Sequence, residues 1–123
     1  MFELKVVTNF AAAHQLKMVA KKCENLHGHN WKVEVCVAGE TLNHAGILVD
    51  FGEIKKHLSK VIAMLDHKFL NELEFFHESN PSSENIAIYI AKALQATIND
   101  DSIKVTRVTT WESEDSCATY IVE

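Results

Sequence analysis

Proline and glycine are scarce in this chain. Pro81 is the one proline, and four glycines are spread over 123 residues. No Gly- or Pro-rich linker divides the sequence, so residues 1–123 are expected to form a single domain. There is no low-complexity tract and no repeat of solenoid period. Long apolar runs are missing too. The longest, Ile86–Ala91, is far too short to cross a bilayer. The opening MFELKVVTNF carries an acid at Glu3 and no stretch of signal-peptide length. Cysteines are few and odd in number. Cys23, Cys36 and Cys117 stand at no regular spacing, which argues against a disulfide framework and for a cytoplasmic setting with free thiols. Basic charge is short as well: 12 Lys and Arg face 17 Asp and Glu, a net charge of −5. A general binder of nucleic acid or anionic membrane needs the opposite balance. A small anionic substrate met by a few local lysines remains open.

What is present suits a folded core. Hydrophobic residues make up 47% and charged residues 24%, the balance of a globular chain able to bury a core without disulfides. The coarse order is strand, strand, helix, helix, strand, strand. Phe2, Leu4 and Val6 alternate within residues 2–13. Trp31, Val33, Val35 and Val37 share one face of residues 27–38, with Lys32 and Glu34 on the other. Residues 41–46 have turn composition. Asp50 caps a first helix, with Glu53 three residues on and Ile54, Leu58, Val61, Ile62 and Leu65 at helical spacing. Ser82 caps a second, whose stripe is Ile86, Ile90, Leu94 and Ile98 and whose end is Asn99-Asp100-Asp101. Residues 103–112 and 116–122 read as a hairpin. Two hairpin-like pairs around two helices predict an antiparallel sheet with helices on one face.

Histidine is abundant, seven in 123 residues, and three positions suggest a metal. In Cys23-Glu24-Asn25-Leu26-His27-Gly28-His29-Asn30, two imidazoles stand two residues apart, on one face of an extended segment. Gly28 between them lets backbone or ligand approach. The face continues through Trp31 and Val33, so the histidines end an apolar surface. A third nitrogen comes from His14, which ends the first strand. If strands one and two pair antiparallel, His14 lies beside His27 and His29. Three neutral imidazoles with one open position describe a catalytic zinc site; other divalent ions take the same ligands. Cys23 has two readings. As a fourth ligand it would close the site, and its spacing permits this. As a thiolate stabilised by the nearby cation it would be an acid–base group.

Leu65-Asp66-His67 pairs a carboxylate with an imidazole at the end of the first helix, an arrangement that can orient a proton-transfer group. Glu112 follows Trp111 at a strand end, where a carboxylate can hold the N–H edge of a planar heterocycle. Ser82 and Ser83 are accounted for as helix capping, and their N–H groups and hydroxyls can also meet a ligand. Cys36 and Cys117 read as small packing residues, and His44, His57 and His77 as surface residues.

The ordered series Phe-x-Ala-Ala-His, Cys-x3-His-Gly-His-Asn, Val49-Asp50-Phe51, Leu65-Asp66-His67, Asn80-Pro81-Ser82-Ser83-Glu84-Asn85 and Trp111-Glu112 resembles the 6-pyruvoyl-tetrahydropterin synthase family over nearly the whole chain. The Cys-x3-His spacing is most similar to its 6-carboxytetrahydropterin synthase branch. The resemblance implies the α+β tunnelling fold: a four-stranded antiparallel sheet with two helices between strands two and three, assembled as trimers stacked into a homohexamer. It implies His14, His27 and His29 as zinc ligands, Cys23 as acid–base thiol, and Asp66 and His67 as the second proton-handling pair. Glu112 would anchor the pterin and join the relay, with Ser82 and Ser83 serving a neighbour's pocket. The implied substrate is 7,8-dihydroneopterin triphosphate, converted to 6-carboxytetrahydropterin, acetaldehyde and triphosphate on the route to queuosine. The pyruvoyl-forming synthase and a non-enzymatic zinc module are the alternatives. His14 is followed by Gln15 where the family commonly has arginine, so the triphosphate must find other cations; Lys17, Lys21 and Lys22 are candidates, and a solvated loop explains them equally well.

Overall fold

The computed structural model describes residues 1–17 and 25–123. Strand β1 (Phe2–His14) and strand β2 (His27–Gly39) are joined in one unbroken antiparallel ladder, from Phe2 opposite Gly39 to His14 opposite His27. Helix α1 (Phe51–Ala63), the two-residue strand β3 (Lys68–Phe69) and helix α2 (Ser83–Ile98) follow. Strands β4 (Lys104–Ser113) and β5 (Ser116–Ile121) close the chain as a hairpin. The sheet order is β3-β1-β2-β4-β5. The class is α+β, as expected. The expected four-stranded antiparallel sheet is present as the four long strands. The fifth, β3, runs parallel to β1 beside Ala12 and Ala13. It is too short to show as an alternating pattern in sequence.

Local chemistry explains the boundaries. The Asp50 side chain accepts from the Gly52 N–H at 2.7 Å, capping α1. Ser82 Oγ accepts from the Asn85 N–H at 3.1 Å, capping α2. Such caps contribute about 1 kcal/mol each. Helix α2 ends on Asn99 in the left-handed conformation at φ 49°, which asparagine tolerates better than most residues.

One face of the sheet meets both helices. Val6, Phe10, Trp31, Val33, Val35 and Val108 pack with Ile54, Leu58, Val61, Ile86, Ile90 and Leu94 in one buried cluster. Leu70 and Phe76, from two short 3₁₀ turns after β3, complete it. Of the cysteines expected to pack inside, Cys36 is buried but Cys117 is exposed. Cys117 pairs with Trp111, which pairs in turn with Lys32, on the sheet face away from the helices. His57, expected at the surface, is half-buried, because it sits on the shoulder of the stripe formed by Ile54, Leu58 and Val61. His44 and His77 are exposed, as expected. Among the described residues, no helix is long and apolar enough to cross a membrane.

Candidate metal centre and the groove beside it

The β1–β2 register places His14 directly opposite His27, and Ala12 opposite His29. An alanine facing an imidazole leaves that ring room to turn toward the other two. Phe10 lies opposite Trp31, and their rings stack with centroids 6.0 Å apart. Trp31 forms the floor of the cluster, its ring edge-on to His14 at 5.2 Å and to His29 at 5.3 Å. The cluster thus rises from a dry aromatic base toward solvent: the His14 side chain is 1% exposed, His29 21% and His27 30%.

Two of the three rings have their tautomers set by carbonyls. His14 Nδ1 donates to the Pro81 carbonyl oxygen at 2.7 Å, and His27 Nδ1 donates to the Asn25 carbonyl oxygen at 2.8 Å. A carbonyl only accepts, so each of these rings carries a proton on Nδ1 and turns its Nε2 inward. The two Nε2 atoms lie 3.1 Å apart. Glu112 Oε1 stands 2.9 Å from His29 Nε2, 3.6 Å from His27 Nε2 and 3.7 Å from His14 Nε2. All four donor atoms lie within 4.8 Å of one another. Ligands bonded at 2.0–2.1 Å around a tetrahedral zinc ion are about 3.4 Å apart, so the set has the spacing and chemistry to hold a divalent cation. A second-layer carbonyl on a ligating imidazole's other nitrogen is the usual partner of such sites.

Glu112 stands at a bulge, since Trp111 pairs with Cys117 and Ser113 with Ser116, which leaves Glu112 as the extra residue between them. Its other oxygen, Oε2, accepts from Ser83 Oγ at 3.4 Å, and the Ser83 carbonyl accepts from buried Thr110 Oγ1 at 2.8 Å. Ser82 Oγ is occupied as the helix cap. Both serines therefore stand at the site's edge, with their hydroxyls engaged inside the chain.

Asp66 and His67 stand where β3 meets β1. Asp66 Oδ1 accepts from the Ala11 N–H at 3.0 Å and lies 3.0 Å from His67 Nδ1; the His67 N–H donates to the Ala11 carbonyl at 2.6 Å. Both outward backbone groups of Ala11 are taken, and β3 is docked on β1. The Ala11 N–H holds the Asp66 carboxyl below its usual range, and His67 pulls the same way. His67 itself adopts φ 58°, a left-handed backbone that costs a non-glycine residue about 1 kcal/mol or more. The side chain is 81% exposed and helps line a groove of about 530 Å³ that runs over adjacent stretches of β2 (Gly28, His29, Asn30), β1 (Ala11–Ala13) and β3 (Lys68, Phe69).

Cys23, Lys21 and Lys22 lie outside the described residues. Sequence reasoning did not find the carbonyls of Pro81 and Asn25 or the Thr110–Ser83–Glu112 chain. Thr110 carried a usable signal, since it stands two residues before Glu112 on the same strand face. The carbonyls carried none, because every residue has one.

The chain belongs to the 6-pyruvoyl tetrahydropterin synthase family, whose model matches residues 3–123. The fold is the family's. It superposes on the solved structure of 6-pyruvoyl tetrahydropterin synthase from Caenorhabditis elegans with a TM-score of 0.88 at 29% identity, covering 99% of this chain and 96% of that one. In sequence the chain is similar to a Synechocystis 6-carboxy-5,6,7,8-tetrahydropterin synthase, 37% identical over 71% of this chain and 70% of that protein. It is also similar to a Pyrococcus furiosus dihydroneopterin monophosphate aldolase, 36% identical over 87% of this chain and 86% of that protein.

Proposed function

We propose that this chain is a cytoplasmic, zinc-dependent carbon–carbon lyase. It would convert 7,8-dihydroneopterin triphosphate and water to 6-carboxy-5,6,7,8-tetrahydropterin, acetaldehyde and triphosphate, an early step toward queuosine and related 7-deazapurines. The observation that supports this best is the convergence of the ligand atoms of His14, His27, His29 and Glu112 within 4.8 Å of one another. Family membership and the Synechocystis relative point the same way.

In this reading the three histidines hold zinc, which when bound polarises side-chain oxygens of the substrate and acidifies the adjacent C–H. Cys23 removes a proton from the substrate side chain. His67, oriented by Asp66, moves a proton on the other side, and a positioned acid or base of this kind contributes about 10²–10⁴-fold. Glu112 accepts from the N–H edge of the pterin. Ser82 and Ser83 add contacts at the α2 N-terminus, where N–H groups favour ligand acceptors.

Assembly belongs to the same proposal. Among the described residues strand β5 has a neighbour on one side only, and β3 covers just two residues of β1. Open edges of this kind invite pairing, and trimers stacked as a homohexamer would cover them, with residues 1–123 acting as one domain in each subunit.

The deciding experiment incubates zinc-loaded protein with dihydroneopterin triphosphate and analyses products by mass. Carboxytetrahydropterin with acetaldehyde is expected. A pyruvoyl product without acetaldehyde would move the chain to the pyruvoyl-forming branch. Zinc binding with no product would leave a metal-binding module. Dihydroneopterin monophosphate belongs in the same assay, because the Pyrococcus relative, 36% identical, is named for it.

A further inference from the structure

The segment Asn80-Pro81-Ser82-Ser83-Glu84-Asn85 is more than a helix start. Asn85 is tied into it twice. Its backbone N–H is taken by Ser82 Oγ at 3.1 Å, and its side-chain Nδ2 donates back to the Asn80 carbonyl at 2.8 Å. Asn80 is fixed from the other direction. Its amide makes a two-bond clamp on Lys17, accepting from the N–H at 2.7 Å and donating to the carbonyl at 2.7 Å. Between these anchors sits Pro81, whose carbonyl receives the His14 Nδ1 proton at 2.7 Å.

The geometry has a specific consequence. The Asn80–Pro81 peptide is planar and its oxygen is pinned by Asn85. The ring of Pro81 locks φ, and it has no N–H to offer elsewhere. Only ψ of Pro81 is then soft between the pinned oxygen and the carbonyl that meets His14, and the Ser82 cap restrains the following residue. The aim of the Pro81 oxygen is therefore set by Asn85 and Asn80.

We propose that Asn85 and Asn80 are positioning residues that hold the Pro81 carbonyl on His14 and thereby fix the tautomer and pose of that imidazole within the metal cluster. The proposal rests on the reading of His14 as a metal ligand. Loss of an outer partner of a ligating histidine weakens metal binding about 10–100-fold.

Asn85→Asp is the incisive variant. It keeps the side chain's shape, removes the donor, and places an acid in the first turn of α2, where it is compatible with the helix dipole. Zinc affinity is measured by competition with a chromogenic chelator for wild type, Asn85→Asp, Asn85→Ala and His14→Ala. Imidazole ¹⁵N shifts of His14 are recorded in the metal-free protein. The expected result is a 10–100-fold loss of zinc affinity in both Asn85 variants, with His14 moving from the Nδ1–H tautomer to a mixture. Wild-type zinc affinity together with an unchanged His14 tautomer in Asn85→Asp overturns the positioning role while leaving the metal site standing. Wild-type affinity in His14→Ala overturns the metal site itself. If neither Asn85 variant folds, the wild-type spectrum still decides: an Nε2–H tautomer at His14 refutes the proposal.

Discussion

The carboxylate of Glu112 stands 2.9 Å from the imidazole of His29 although the two residues lie on different strands, 83 positions apart in sequence. Glu112 lies two residues beyond Thr110 on the face of β4 that continues the His29–Trp31 side of β2, with a bulge in its pairing to β5. Its oxygens divide between the imidazoles and Ser83. A half-buried anion among three imidazoles is a balanced arrangement whether the positive charge is a proton or a metal ion.

Metal should stabilise the fold through His14. Added zinc at about 100 times its dissociation constant contributes about 2.7 kcal/mol to a protein that binds it only when folded. The thermal midpoint of chelator-stripped wild type should rise on adding zinc, and that of His14→Ala should not. An equal rise in both would show the ion sitting elsewhere.

Cys23 carries a cleaner kinetic test. Cys23→Ala is expected to keep zinc and pterin binding and to lose turnover by about 10²-fold or more, the contribution of one proton-transfer group. Retained full turnover would remove Cys23 from the mechanism.

His67 separates strain from chemistry. Because its φ is 58°, His67→Gly should be more stable than His67→Ala by about 1 kcal/mol, while both lose activity. Denaturant midpoints give the first comparison and product formation the second. An alanine variant as stable as the glycine variant would mean the backbone relaxes there without cost.

Acid should loosen the docking of β3. The Asp66 carboxyl titrates below its ordinary value near 3.8, chiefly because the Ala11 N–H bonds the charged form. A depressed carboxyl contributes stability that is present above the unfolded value and lost as pH falls through the folded one. Unfolding midpoints of wild type should thus fall more steeply below pH 4 than those of Asp66→Asn. Parallel acid profiles would count against the bond.

Gly28 reports on the groove and not on the core. A Cβ there would meet only the Ala12 carbonyl oxygen, at the ordinary contact distance of 3.8 Å. Gly28→Ala should therefore leave stability unchanged or raise it by a few tenths of a kcal/mol, while raising KM for a substrate that enters between His29 and His67. A thermal midpoint lowered by several degrees would place the glycine's role in folding instead.

The ladder and the helices were legible from alternation and spacing, because burial of one face imposes period two on a strand and 3.6 on a helix. That is also why His14, His27 and His29 could be expected together if the two strands paired antiparallel; the register that sets His14 opposite His27 is read from the structure. The expectation that Cys117 packs inside, drawn from its small size and its place in a strand, failed because exposure on the outer sheet face depends on what covers that face. Alternation could not show β3 either, because two residues contain no period.

Sequence alone determined which residue types stand at which end of which strand, and with them the imidazole trio and the Asp66–His67 pair. Tertiary structure decided what those groups face. Carbonyls from Pro81 and Asn25 set the histidine tautomers, the β2–β4 pairing brings Glu112 to His29, and the Ala11 backbone depresses Asp66. Such choices turn on the direction of single hydrogen bonds from backbone atoms that every residue carries, and only a folded chain gives those bonds a direction.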